Sequence, residues 1–151
     1  MAGEQQEGPV LFAYDGSELA GAAIEQAASQ LAPGREALVV LVWQPADVGF
    51  EPVGDRPFDA ADASAVRAAA QDTAARGAQL AQQAGLRART VCCNCAPTWK
   101  GIVETAQEHE ASLIVIGSHV RRGVAGHLLG SVARDVIAHT TLPVLVTQQR
   151  D

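Results

Sequence analysis

Apolar residues fall along this chain in two alternating rhythms. Short, nearly continuous runs recur at Val10 to Tyr14, Ala37 to Trp43, Arg87 to Cys93, Ser112 to Ile116 and Pro143 to Thr147. Strands covered on both faces of a parallel sheet read this way, because apolar–polar alternation arises only where one face meets water. Between the runs the spacing becomes that of a helix face. It holds for Ala20, Ile24, Ala27 and Leu31; for Val66, Ala70, Thr73, Gly77, Leu80 and Ala84; for Trp99, Ile102 and Ala106; and for Val132 and Val136. Strands alternating with helices predict an α/β domain.

Local signals mark the helix boundaries. Ser17 predicts the cap of the first helix, with Glu18 suited to the positive end of its dipole, and Pro33-Gly34 is expected to end it. Gly85 is expected to end the Ala-rich second helix, and Pro97-Thr98 to begin the third. The only long irregular connection runs over 44–59 and carries Pro45, Gly49, Pro52, Gly54 and Pro57. It reads as a surface loop or as a cover over a ligand, and the general behaviour of loops favours the first. Residues 1–8 are expected to be a flexible lead-in to one domain spanning 1–151.

Charge and composition narrow the partners. No apolar run reaches membrane-spanning length, and the opening Met1 to Gly8 is polar and acidic where a secretory signal needs a basic start and an apolar body. A soluble, cytoplasmic protein is expected. The net charge of -6 argues against duplex nucleic acid or an anionic membrane as the main partner, since both need a broad cationic face. One stretch departs from that balance. No Asp or Glu lies between Glu110 and Asp135, whereas Arg121, Arg122 and Arg134 fall inside it, a bias that suits a small anion.

The three cysteines crowd into Cys92-Cys93-Asn94-Cys95. Zinc would need a second ligand pair, and a redox C-x-x-C usually opens a helix, whereas these residues end a predicted strand. Alternation puts Cys93 and Cys95 on one face and Cys92 on the other. Buried structural thiols are the expectation.

In an open parallel sheet the ligand crevice forms at the carboxyl ends of the strands, where strand order reverses. If the first and fourth strands meet there, Tyr14-Asp15-Gly16-Ser17 and the segment from Gly117 to Ser131 converge. Asp15 would then accept hydrogen bonds from a base or ribose. Backbone N–H groups of Gly130, Ser131 and Val132, with the Ser118 and Ser131 hydroxyls, would face phosphates at a helix start. The same residues also read as two ordinary helix starts.

These motifs carry a resemblance. The strand before Asp15-Gly16-Ser17, Val42-Trp43-Gln44-Pro45, Ala111 to Ser118, Leu129-Gly-Ser-Val132 and Pro143 to Val146 together resemble the universal stress protein family over nearly the whole chain. The resemblance implies a three-layer, Rossmann-like fold with a five-stranded parallel sheet of order 3-2-1-4-5. It implies homodimers joined through the Pro143 to Thr147 strand. It also implies, for one branch, ATP bound through G-x-x-G-x9-G-[ST], with magnesium as a companion ion. Gly117 and Gly130-Ser131 match that motif, but Val120 stands where the middle glycine belongs. A β-branched residue resists positive φ, so Val120 would reshape the loop or crowd the phosphates.

The nucleotide site implied is Asp15, Trp43, Gly117, Ser118, Val120, Gly130, Ser131 and Val132. Trp43 reads equally as a strand-end core aromatic. Two functions follow: a nucleotide-binding stress-response module for ATP or AMP, or a homodimeric protein-interaction module in which Val120 has cost the site its ligand. Catalysis beyond slow ATP hydrolysis is not expected, because the chain has no nucleophile elbow, complete P-loop or zinc signature.

Overall fold

The computed structural model describes residues 8–44, 60–119 and 129–149. Its strands are β1 (Val10–Ala13), β2 (Glu36–Trp43), β3 (Arg87–Asn94), β4 (Leu113–His119) and β5 (Val144–Gln149). The helices are α1 (Glu18–Ala28), α2 (Ala60–Gln83), α3 (Thr98–Glu108) and α4 (Ser131–His139). All five strands pair in parallel in the order β3-β2-β1-β4-β5, as the resemblance implied. In register, Val10 lies opposite both Ala37 of β2 and Leu113 of β4, so β1 and β4 are neighbours at the point of reversal.

Alternation along the central strands divides the core into two layers. Val10 and Phe12 of β1, Val39 of β2 and Val115 of β4 pack against Ile24 and Ala27 of α1 and Ala81 of α2. Leu11, Leu38, Val40, Ile114 and Ile116 point to the opposite face, against Ile102 and Ala106 of α3 and Val136 of α4. Phe12, Leu11, Ile24 and Ile114 are fully buried, each stabilising the fold by roughly 1.5–3 kcal/mol relative to exposure. A smaller cluster at the end of β2 joins Leu41 and Trp43 to Val66, Ala70 and Ala74 of α2.

Several boundaries depart from expectation. Helix α1 stops at Ala28 with Ser29 as its C-cap, and Pro33-Gly34 belongs to the following turn, where Gly34 adopts φ 78°. Leu31 therefore packs on the core from outside the helix. Gly85, at φ 93°, does close the chain just after α2. The buried stripe of α2 runs through Val66, Ala70, Ala74, Ala78 and Ala81, while Thr73 is half-buried and Ala84 exposed.

Edge position corrects the reading of β3 as a strand covered on both faces. Its residues are half-buried or exposed because only β2 flanks it. The cysteines follow suit: Cys92, Cys93 and Cys95 are free and only half-buried. Alternation holds, with Cys92 beside the Trp43 cluster and the Cys93 thiol near Thr105 of α3 and near Cys95. Burial raises the Cys92 thiol above its ordinary pKa, and burial followed by the neighbouring Cys95 raises Cys93, so both stay protonated and weakly nucleophilic near neutral pH. Among the described residues no group of three or more His, Cys, Asp or Glu could hold a metal ion. None of the described helices is long and apolar enough to cross a membrane.

Candidate functional site

A cleft of about 680 Å³ opens where β1 and β4 part at their carboxyl ends, a size ordinary for a small-molecule site. Its floor is apolar, formed by Ala13, Val40, Val42, Ile102 and Ile116, and its rim is polar, with Asp15, Ser17, Thr98, Ser118 and Ser131. His119 and Arg134 also line it.

The rim on the β1 side is built by a turn that holds itself. Asp15 Oδ1 accepts the Ser17 N–H at 2.9 Å, Gly16 between them takes φ 86°, and Ser17 Oγ accepts the Ala20 N–H at 3.1 Å. The expected cap of α1 is therefore present. One Asp15 oxygen is committed to this turn, and the carboxylate keeps a second acceptor. Tyr14, just before it, is anchored by α2: a Cβ at Gly77 would lie 2.6 Å from Tyr14 Cδ1, so the helix dispenses with a side chain where the ring sits.

The opposite rim is the start of α4. Gly130 is its N-cap with φ -56° and makes no side-chain capping bond. The Gly130 carbonyl accepts the Arg134 N–H at 3.0 Å, which opens the intrahelical ladder. The Gly130 N–H is held by Ser118 Oγ at 2.8 Å. By helix geometry, the N–H groups of Ser131, Val132 and Ala133 precede that ladder, and all three residues line the cleft.

The two matched glycines differ in why they are glycines. A Cβ at Gly117 would lie 3.0 Å from Leu19 Cγ and 3.1 Å from the Leu19 carbonyl oxygen, so Gly117 lets α1 lie close on β4. At Gly130 the backbone suits any residue, and among the described residues a Cβ would meet only Ser118 Oγ, at an ordinary 3.5 Å.

Of the residues singled out from the sequence, Asp15, Gly117, Ser118, Gly130, Ser131 and Val132 line this one cleft. Trp43 is elsewhere. It is 8% exposed beneath α2, facing away from the cleft. The β2 residues that do reach the cleft are Val40 and Val42, and Gly101 brings α3 so close to Val42 that a Cβ there would sit 2.8 Å away. Val120 lies outside the described residues, as do Arg121, Arg122, Gly123, His127 and nearly all of the 44–59 connection. Thr98, Ile102 and Val42 were missed by sequence reasoning. Alternation along β2 carried the signal for Val42, since Trp43 shares a face with Val39 and Leu41 and must point away from it.

The profile of one family matches residues 8–148, under the description universal stress protein family. This chain belongs to the universal stress protein family. A universal stress protein of Mycobacterium tuberculosis is 35% identical over 149 residues, which are 97% of this chain and 47% of that protein. The chain thus spans about half the length of the curated relatives it matches. Among solved structures, the hypothetical protein MJ0577, studied as a structural-genomics test of assigning biochemical function, superposes with a TM-score of 0.74 at 21% identity, covering 95% of this chain and 97% of that one. A universal stress protein from Archaeoglobus fulgidus, solved in complex with dAMP, superposes with a TM-score of 0.61 at 26% identity, covering 91% of this chain and 95% of that one.

Proposed function

We propose that this universal stress protein is an adenine-nucleotide-binding module. Its ligand is held between β1 and β4, with phosphate at the α4 start and the base over the apolar floor. The observation that carries this reading is the start of α4: its three first-turn residues line the cleft, their N–H groups precede the intrahelical ladder, and the N-cap Gly130 brings no side chain to cap them. Arg134, which also lines the cleft, adds to the attraction for an anion. Val40, Val42 and Ile102 offer a base apolar contact, and the second Asp15 oxygen offers an acceptor to ribose hydroxyls. The dAMP complex of the A. fulgidus relative supports the same class of ligand.

The described residues account for a nucleoside monophosphate, so AMP is the minimal ligand. ATP with magnesium is the larger ligand of the same class. Binding, not turnover, is the function, and slow ATP hydrolysis would be incidental to it. Two copies join through β5, a half-buried edge strand whose outer N–H and C=O groups invite pairing. Sedimentation at micromolar concentration checks that assembly, and a monomer there would sink it.

The nucleotide reading is tested by calorimetric titration of nucleotide-stripped protein with AMP and with ATP plus magnesium, beside Val120→Gly. Micromolar binding of AMP by the native protein is expected. Binding of neither nucleotide by either protein would overturn the reading and leave the homodimer surface as the working part.

A further inference from the structure

Ser118 is one of only two buried polar side chains among the described residues, at 3% exposure, and it sits at the junction of sheet and cleft. Its hydroxyl oxygen accepts the N–H of Gly130, twelve residues further on, across the base of the connection from β4 to α4. On one side Ser118 is fixed by the sheet, in register with Gln148 of β5. On the other, Gly130 is fixed to the helix through its carbonyl bond to Arg134, and Ala133 and Val136 anchor that helix in the core. Gly130 is thus held through both its N–H and its carbonyl.

We infer that Ser118 is a positioning residue: its hydroxyl is a clasp that stands in for the cap α4 lacks, fixing the direction of the Ser131, Val132 and Ala133 N–H groups, and it is not itself a phosphate ligand. A helix start has four N–H groups without intrahelical partners. Ser118 takes the first of them and leaves three, on residues that all line the cleft. The acceptor Ser118 is buried while Gly130 is exposed, so the bond is part-buried and anchored on its sheet side. Without it the connection from β4 to α4 is no longer pinned at its base, and the first turn of α4 is free to fray. An anion must then order those donors on binding, which lowers its affinity. A nucleoside without phosphate does not use them.

The consequence for affinity rests on the nucleotide reading, but the clasp itself does not, and one variant separates the two. In ligand-free Ser118→Ala, the Gly130 amide should exchange its hydrogen roughly three- to tenfold faster than in the native protein, as loss of one hydrogen bond dictates. AMP affinity should fall by a similar factor, while adenosine affinity should not change. Equal exchange at Gly130 in both proteins would overturn the clasp. Equal weakening of AMP and adenosine would reduce Ser118 to a general structural role and overturn its positioning of the phosphate end. Unchanged exchange with selective loss of AMP would make the hydroxyl a direct ligand and overturn the inference as well. If the native protein binds no AMP, the nucleotide reading fails, and the exchange rate at Gly130 still decides the clasp.

Discussion

The two helix starts that face each other across the cleft are finished in opposite ways. At α1 the local chain supplies its own closure, since Asp15 and Ser17 satisfy neighbouring N–H groups and Gly16 provides the one positive φ that the turn needs. At α4 the N-cap Gly130 brings no side-chain bond, and among the described residues the side-chain bond that steadies the turn comes from another element, β4. Local side chains thereby take two of the four first N–H groups of α1. The α4 start, steadied from outside and lined up beside the cleft, is the one proposed to receive a ligand. The glycines repeat the contrast: Gly117 serves packing, whereas the described protein makes no demand for glycine at Gly130.

Supplying α4 with a cap should break the contrast most severely. In Gly130→Asp, a carboxylate would accept the first-turn N–H groups and set a negative charge where phosphate is proposed to lie. AMP affinity should fall by roughly a hundredfold or more, while thermal stability stays level or rises slightly. Calorimetry beside a thermal melt reads both, and an undiminished affinity would mean that the α4 start is not the phosphate end.

Gly117→Val tests the packing half. Its side chain would press on Leu19, including backbone that cannot step aside, so stability should drop by about 2–3 kcal/mol in urea titration. A neutral result would show that α1 is free to shift off β4. The mildest test compares the two serines. Ser17→Ala should cost about 1 kcal/mol through its lost cap, whereas Ser131→Ala, which removes no capping bond, should stay within roughly 0.5 kcal/mol. Equal costs would mean that the two starts are not finished differently after all.

Much of this architecture was legible beforehand because its signals are local. The apolar runs located five strands, the Ser17 cap and Gly85 stop were readable from neighbouring residues, and the strand order came with the family resemblance. What escaped depended on contacts between distant parts. Gly117 and Gly130 look alike in a motif, and only the approach of Leu19 separates them. Trp43 resembled a ligand contact by position, but α2 gave it a better seat than the cleft. Edge position, which sequence periodicity does not encode, left β3 and its cysteines half-exposed. Pro33-Gly34 was a real turn signal, attached to a helix that had already stopped at Ala28.

The turn that opens α4 also bears on how the proposed site should be tested. Its three first-turn donors belong to the main chain, so replacing Ser131 or Val132 by alanine deletes a side chain and leaves every N–H in place. A scan by alanine would pass over them without a signal. The proposed site rests on the course of the main chain more than on the side chains of that turn.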